Sequence, residues 1–468
     1  MASEHVSLDG AAFLTEKTKG LYEPGPGLEA LGRSSQFSSK NNRKVTDAVP
    51  QFQEWRETAH QVKQFTIANL DKLLVEFEQH MTAKGAHVLF AENAAEANRQ
   101  VLDIAQQHGV KSVVKSKSMV TEEMELNHVL AAEGIRPVET DLGEYIVQLA
   151  GQRPVHIVTP AMHMSAADVG QLFADKLGEP FSAEHQNLTA IARRHLRNEY
   201  LQAGMGISGC NFAVADTGTV VVIENEGNAG LSTATPPVHV VLVGIEKLLP
   251  RMDYLPLFLN LLARSGTGQK LTSYTHLIHG PTAGQQLYII FLDNGRTNVL
   301  KDPAAWASLH CIRCGACLNA CPVYRRTGGW AYGWVYPGPI GSILTPHLLG
   351  LEKAGTLPFA SSLCGACSEV CPVKIDIPHQ LVHLRHRAVN EPSPMRSMTE
   401  RLTWVLWAWA MGGPLRYKLA MWAVRLGVRA APLLPWHPGK LGAWTRGRAL
   451  PKVPGPAFRK WWKKQEKK

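Results

Sequence analysis

The chain has 468 residues, of which 45% are hydrophobic and 19% charged, with a formal net charge of +10 at pH 7. This length predicts two to four domains with enough apolar material for a large core. The composition excludes a disordered or collagen-like chain. We find no uninterrupted apolar stretch of about 18 residues and no secretion signal, so we expect an intracellular, cytoplasmic protein without a membrane span.

The positive charge is concentrated at the C-terminus. Residues 401–468 contain 15 Lys and Arg and one acidic residue, whereas the remainder has 34 basic and 38 acidic side chains, a balance of −4. Eight of the twelve Trp lie in the same stretch. The basic character therefore belongs to the tail, and the body gives no support to a nucleic-acid groove, so we expect no nucleic-acid partner.

The first 300 residues predict an α/β organisation. Residues 1–50 are polar and rich in Gly and Ser, and we expect an extended arm there. A helical period follows at 51–81. Short apolar runs then alternate with helical segments, at 87–92, 111–116, 134–140 and 155–161. This alternation is typical of β-α-β units around a mainly parallel sheet.

After a long helix that ends near Ala203 the pattern changes. The segment NFAVADTGTVVVIENEG predicts a hairpin with its turn at 216–218. Two later apolar runs, VHVVLVGIE and LYIIFLD, predict further strands. We assign residues 51–300 to the α/β domain, 301–385 to a cysteine-rich domain and 386–468 to a basic, Trp-rich helical region.

Seven of the eight cysteines lie between residues 311 and 371. The first run, CIRCGACLNACP, has the C-x2-C-x2-C-x3-C-P spacing of bacterial iron–sulfur proteins. One tight loop with this spacing brings three thiolates to a 4Fe-4S cube, while the fourth cysteine reaches a neighbouring cube. Zinc knuckles also use CxxC pairs, but four cysteines followed by proline are not their usual form.

The second run, SSLCGACSEVCP at 361–372, repeats the first with Ser361 in the place of the first thiolate. Crossed ligation then predicts one cluster bound by Cys311, Cys314, Cys317 and Cys371, and a second bound by Cys321, Cys364 and Cys367. The second cluster lacks one thiolate. Four occupants of its open corner remain: the Ser361 oxygen, another side chain, a hydroxide, or no iron at all, which would leave a 3Fe-4S cluster.

The flanks of these runs, LHCIRCGACLNACPVYRRTGGWAYGWVYPGPIGSILTP and LPFASSLCGACSEVCPVKIDIP, resemble the iron–sulfur B proteins of bacterial L-lactate utilisation. The upstream segments VVKSKSMVTEEMELNHVL and GISGCNFAVADTGTVVVIENEGNA match the same family. The resemblance covers roughly residues 50–390 and, more loosely, the tail. It implies a lactate-utilisation (LUD) domain of CoA-transferase/ribose-isomerase-like fold, then a ferredoxin-type two-cluster domain and a helical C-terminal tail.

The resemblance also implies a function. Proteins of this family are thought to carry electrons, with companion A and C proteins, while L-lactate is oxidised to pyruvate. No flavin or nicotinamide motif is visible in the chain, which favours a substrate-oxidising centre in a partner. The alternative is an enzyme whose LUD domain binds an organic acid or thioester and holds the catalytic site.

Two features of the α/β part bear on that alternative. Residues 115–118, Lys-Ser-Lys-Ser, lie between a strand and a helix, where backbone N–H groups attract anions. A carboxylate site and solvated lysines are the two interpretations. Residues 224–228 follow a strand, loosely where a related CoA-transferase holds its nucleophilic glutamate, although two acids beside glycine also suit a polar turn.

The tail has three interpretations. Its longest apolar run, LTWVLWAWAM, is too short to span a bilayer. A basic helix with Trp residues is suited to peripheral contact with the anionic inner face of a membrane. Docking on a partner and docking on the body of this protein are the other two.

Overall fold

In a computed structural model, residues 25–393, 395, 398–430 and 458–466 are described. They belong to two compact units, one ending at residue 395 and one beginning at residue 396. The strands are β1 His87–Ala91, β2 Ser112–Lys115, β3 Arg136–Glu139, β4 Met205–Ser208, β5 Phe212–Val214, β6 Thr219–Glu224, β7 Val238–Gly244, β8 Leu248–Leu249, β9 Tyr274–Ile278 and β10 Gln286–Leu292.

The helices of the first unit are α1 Pro26–Asp47, α2 Phe52–Ala68, α3 Leu70–Ala83, α4 Ala94–Gln107, α5 Met119–Glu123, α6 Leu126–Ala132, α7 Leu142–Ala150, α8 Ala166–Leu177, α9 His185–Gln202, α10 Asn228–Ala234, α11 Leu255–Gly266, α12 Arg296–Leu300, α13 Ala316–Ala320, α14 Pro322–Thr327, α15 Gly338–Leu349, α16 Leu351–Ala354, α17 Ala366–Glu369 and α18 Ile377–Asn390. Those of the second unit are α19 Met398–Met411, α20 Pro414–Ala430 and α21 Phe458–Gln465.

Six strands form one parallel sheet in the order β1-β10-β7-β4-β2-β3. The predicted mixed α/β organisation around a parallel sheet is therefore confirmed. The chain leaves β2 toward β3 and then returns to β4 on the other side of β2. The carboxyl ends of β2 and β4 thus lie at a switch point, the usual place for a ligand crevice in open α/β sheets.

Alternate residues of the central strands pack on opposite faces of this sheet, because side chains of a strand point alternately up and down. In β7, Val241 and Val243 pack with Phe77 and Met81 of α3. Val240 and Leu242 pack with the apolar side chains of α4. Burial on both faces explains why these strands appear in the sequence as continuous apolar runs.

The second sheet has the order β8-β5-β6-β9. It contains the predicted hairpin, since β5 and β6 are antiparallel and Val214 pairs with Thr219 across the turn. Gly218 has φ +52° in that turn, a conformation that glycine adopts at little cost. β9 was not predicted, and it pairs antiparallel with β6.

The expectation of an extended N-terminal arm is wrong for residues 26–47, which form α1. Pro26 lies in its first turn, where the missing N–H costs nothing. Leu31 and Ser35 are fully buried in this helix. The helix forms because packing against the body compensates for its polar composition. Residues 1–24 of the expected arm lie outside the described residues.

The strand expected at 155–161 is also absent. Val155 and Ile157 are buried, as their alternation suggests. Their segment, however, bonds to side chains rather than to a neighbouring strand. The carbonyl of Val155 accepts a hydrogen bond from the Tyr324 hydroxyl at 2.7 Å, and that of Val158 accepts one from Lys117 Nζ at 2.6 Å. The apolar pattern therefore marks contact with the cysteine region.

In the second unit, α19 and α20 expose most of their large apolar side chains, among them Trp404, Trp407, Trp409 and Trp422. Within the described residues, we find no helix with the length and apolar character needed to cross a membrane. The remainder of the predicted helical tail, including residues 431–457, lies outside the described residues.

Candidate metal centre

The first cysteine loop surrounds a small cavity. Its thiols and that of Cys371 line the cavity together with aliphatic side chains. The thiols are those of Cys311, Cys314, Cys317 and Cys371, and the aliphatic residues are Ile157, Ile312, Ile340, Val373, Ile375 and Ile377. The space between these side chains has a volume of about 350 Å³, which includes a part that is open to solvent. The four cysteines that the sequence assigns to the first cluster thus line the same cavity.

The loop turns tightly because of its backbone conformation. Arg313 has φ +61° and Gly315 has φ +79°, and α13 begins directly after Gly315. A Cβ at residue 315 would stand 3.0 Å from His156 Cε1 and 3.1 Å from Val158 Cγ2. Glycine is therefore required both by its backbone angle and by the close approach of the 155–161 segment.

The second loop lies nearer to solvent. Cys364 is exposed, whereas Cys367 and Cys321 are buried. The loop repeats the left-handed conformations of the first, with φ +56° at Leu363 and +84° at Gly365.

The pKa of a thiol in each loop is raised by burial and by charge on other cysteines. Burial raises the pKa of Cys314 far above its ordinary value, and negative charge on Cys311 and Cys371 raises it further. Burial likewise raises the pKa of Cys367 to about 12, with charge on Cys321 as the next cause. Cys371 thus acts on a thiol of the first loop, whose cavity it also lines, and Cys321 acts on a thiol of the second loop.

These residues fit iron–sulfur clusters. Backbone N–H groups of Arg313, Tyr324 and Ile375 donate to the sulfurs of Cys311, Cys321 and Cys371 at 3.4, 3.5 and 3.4 Å. Such N–H···S bonds stabilise thiolate ligands. Among the described residues, no three His, Cys or acidic side chains are arranged to hold a single metal ion. A cube gives each thiolate its own iron, so its cysteines stand farther apart than the ligands of one ion.

A buried ion-pair network connects the first loop to the carboxyl edge of the parallel sheet. Arg313 Nη2 lies 3.0 Å from Glu246 Oε1, and Glu246 also pairs with Arg296. Arg296 Nη2 lies 2.6 Å from Glu123 Oε1. The Tyr336 hydroxyl donates to Glu123, and the Arg313 guanidinium lies 4.6 Å above the Tyr336 ring. Charges so deeply buried persist only when paired in this way.

Two further cations lie in this network. Lys63 Nζ donates to the carbonyls of Glu246 and Leu248 at 2.5 and 3.3 Å. Burial lowers the pKa of Lys63 to about 7 and that of Lys247 to about 8, and the charges of Glu246 and Cys311 are among the effects that oppose this. The surroundings of Cys311 are therefore rich in positive charge.

The sequence patterns did not predict this network. Glu246 and Arg296 each lie two to four positions after a strand that is buried on both faces, β7 and β10. Charged residues at the carboxyl ends of parallel strands are the signal that was available. Arg313 was visible only as an intervening residue of the cysteine run.

Residues 115–118 do not form a lysine-rich surface. Lys115 is 1% exposed, and its Nζ lies 2.7 Å from Glu139 Oε1 and 3.3 Å from Glu122 Oε1. Lys117 is held by the Val158 carbonyl. The expectation that both lysines are solvated is therefore wrong for Lys115, whose charge is matched inside the fold.

The two glutamates at the end of β6 and just after it, Glu224 and Glu226, accept hydrogen bonds from the first turns of helices. Glu224 accepts hydrogen bonds from the backbone N–H groups of Ala229 and Gly230 at 2.7 and 2.8 Å, and it lies 2.6 Å from His276 Nε2. Glu226 accepts one from Leu142 at the start of α7 at 2.9 Å. Burial raises the pKa of Glu226 to about 7. The polar-turn interpretation accounts for these contacts without a catalytic role.

Three protein families match successive parts of the chain. Residues 74–295 match the LUD domain, residues 307–375 a 4Fe-4S dicluster domain, and residues 382–467 the C-terminal part of lactate utilisation protein B. A crystal structure of a DUF162 family protein from Deinococcus radiodurans aligns with 48% of this chain and 98% of its own, at 14% identity and a TM-score of 0.28.

Full-length relatives agree with these matches. Lactate utilization protein B of Bacillus pumilus is 39% identical over 95% of this chain and 96% of its own. The uncharacterized electron transport protein YkgF of Escherichia coli is 39% identical over 94% of both chains. With this identity over nearly the whole length, and a dicluster domain over the two cysteine loops, the chain belongs to the lactate utilisation protein B family.

Proposed function

We propose that this chain is an iron–sulfur electron-transfer protein that takes part, with companion subunits, in the oxidation of L-lactate to pyruvate. The observation that carries the proposal is the cavity of the first loop, which Cys371 of the second run lines together with Cys311, Cys314 and Cys317. Such sets hold two clusters side by side. The names of the relatives, lactate utilization protein B and electron transport protein, support the substrate and the role.

Two 4Fe-4S clusters are bound in this proposal. The first is held by Cys311, Cys314, Cys317 and Cys371, and the second by Cys321, Cys364 and Cys367. Bound clusters supply one-electron redox chemistry. The chain supplies their surroundings: aliphatic side chains such as Ile312 and Ile340 exclude water from the first set, while the exposed Cys364 leaves the second set near solvent. Exchange of electrons with partners is therefore expected at the second set.

The partners in this proposal are lactate utilisation proteins A and C, in the cytoplasm. We also propose the finer architecture: a CoA-transferase/ribose-isomerase-like LUD domain at 51–300, a ferredoxin-type two-cluster domain at 301–385 and a helical region at 386–468. The all-parallel sheet supports the first of these.

Anaerobic purification with iron, sulfide and EPR analysis tests the cofactor. We expect about eight irons per chain, four for each cluster. Cys314→Ser should remove the signal of one cluster, whereas Cys210→Ser, outside both loops, should leave both signals intact. Iron content near zero in the anaerobic wild-type protein would contradict the proposal.

Turnover assays separate the electron carrier from the alternative enzyme. Purified protein alone, given L-lactate and an artificial acceptor, should show no turnover. Addition of proteins A and C should produce pyruvate. Turnover by the isolated chain would instead favour an organic-acid site in its own LUD domain.

For the tail we propose peripheral contact with an anionic membrane surface. The exposed Trp side chains of α19 and α20 and the excess of Lys and Arg after residue 400 are the features that support it. Full-length protein should sediment with anionic liposomes, and less so at high salt, since such attraction is screened. A chain ending at residue 395 should stay in solution. Equal sedimentation of the two forms would exclude this role.

A further inference from the structure

We propose that Ser361 supplies the fourth protein ligand of the second cluster, through its Oγ. This inference rests on the proposed function, since it presupposes a cluster bound by Cys321, Cys364 and Cys367. The three cysteines of the second set leave one iron of that cluster without a protein ligand. An oxygen atom from the same loop would fill this position.

The second loop repeats the backbone of the first, residue by residue. Ser361 corresponds to Cys311 in this register. Two residues later, Leu363 and Arg313 both have left-handed angles, φ +56° and +61°, that side-chain-bearing residues rarely adopt. Gly365 and Gly315 follow at φ +84° and +79°, and a short helix begins at the next residue in both loops. Ser361 therefore starts the same turn that Cys311 starts.

The side chains at these two positions accept the same hydrogen bond. The N–H of Arg313 donates to Cys311 Sγ at 3.4 Å, and the N–H of Leu363 donates to Ser361 Oγ at 3.1 Å. A serine that bonds to the N–H two residues later is by itself an ordinary local turn. The equivalent bond in the first loop, however, is made by a predicted ligand atom. Relative to the backbone of its loop, Ser361 Oγ thus has the same position as Cys311 Sγ has in the first loop.

The backbone at Ser361 is held in place by a neighbouring helix. Arg385 of α18 donates to the carbonyls of Ser361 and Pro358 at 2.9 and 2.8 Å, and its guanidinium lies 5.3 Å above the Phe359 ring. A ligand must be positioned before the metal binds, and these contacts fix the residue that carries it. Ser362, by contrast, is exposed.

The bond to iron requires the serine hydroxyl to lose its proton. The Fe–O bond forms as the O–H bond breaks, and the proton passes to solvent, which reaches this loop at the exposed Cys364. No electron is exchanged in this step. Alkoxide is a harder ligand than thiolate, so the iron at this corner should be held less firmly than its three neighbours.

Three variants test the assignment on the full-length protein: Ser361→Ala, Ser361→Cys and, as the control, Ser273→Ala, which changes an exposed serine outside both cysteine loops. Each is purified anaerobically, its iron is counted, and the 3Fe-4S EPR signal is measured after mild oxidation. We expect a several-fold larger signal from Ser361→Ala than from the wild type, a smaller one from Ser361→Cys, and an unchanged one from Ser273→Ala.

The outcomes separate this inference from the function on which it rests. Equal signals from Ser361→Ala and wild type, with iron for two clusters in both, would exclude Ser361 as a ligand and leave the two clusters in place. Wild-type protein with iron for one cluster would overturn the two-cluster proposal itself. If Ser361→Ala does not fold, Ser361→Cys decides: an oxidation signal as large as that of the wild type would contradict the assignment.

Discussion

The loop from Cys311 to Cys317 and the loop from Ser361 to Cys367 follow the same backbone path but lie in different surroundings. The first is enclosed by aliphatic side chains and connected to the sheet through Arg313 and Glu246. In the second, Leu363 stands where Arg313 stands in the first, and Cys364 is exposed. The comparison teaches that the turn sets where ligands stand, while burial and charge set how firmly and at what potential a cluster is held.

The largest expected effect tests the crossing of the two loops. Cys371→Ser, although it lies in the second run, should remove the first cluster and leave the second. Cys321→Ser should do the reverse. Iron content and EPR of the two reduced variants measure this. Loss of the second cluster in Cys371→Ser would show that each run binds its own cube. The prediction of crossed ligation would then be wrong.

Glu246→Gln should destabilise the protein by roughly 3–5 kcal/mol, because it leaves buried Arg296 and Arg313 without their shared partner. Urea unfolding of the anaerobic protein measures this loss. The matched control is Asp253→Asn, which breaks an exposed pair with Arg251 and should cost far less, because solvent screens an exposed pair. Similar losses in both variants would mean that the network contributes no more than a surface ion pair.

The spacing in the sequence predicted the two groups of cysteines but not this network. The reason is that each cysteine run is local in the chain, whereas the ion pairs join distant residues. Within each run the cysteines are separated by two or three residues, so a local pattern contains them, and the repeat of that pattern in the second run predicts the crossed sets. Arg313 and Glu246 are 67 positions apart, and Arg296 and Glu123 are 173 apart. Only the packing of the cysteine loop on the sheet edge brings these four together.

The same limit explains the two errors of secondary structure. Residues 26–47 have a polar composition, and their helix depends on burial of Leu31 and Ser35 against the body. The segment 155–161 has the alternation of a strand, but its buried residues face the cysteine region, and Tyr324 bonds to its backbone. In both cases distant contacts outweigh the local preference.

Thiol labelling of iron-free protein should reveal the difference in exposure. Hydrogen bonds from the Ala366 backbone and the Ser362 side chain lower the pKa of Cys364, whereas burial raises the pKa of Cys371 to about 11. Since the thiolate is the reactive form, Cys364 should be alkylated several-fold faster at pH 7. For Cys371 the rate should keep rising as the pH approaches 11. Mass spectrometry of alkylated peptides measures both rates, and equal rates at pH 7 would show that the loops open alike.

The smallest expected effect concerns charge. Reduction adds an electron to an already negative cluster, and a nearby cation favours that state. Arg313→Gln should therefore lower the midpoint potential of the first cluster, while Arg313→Lys, which keeps the charge, should lower it less. The matched variant is Arg325→Gln, whose guanidinium lies near Cys321 and is only partly buried. It should shift the second cluster alone, and by less, because solvent screens its charge. EPR-monitored redox titration resolves the two potentials. A shift of both clusters by Arg313→Gln, or of neither, would mean that Arg313 holds the loop on the sheet without setting the potential of the cluster beside it.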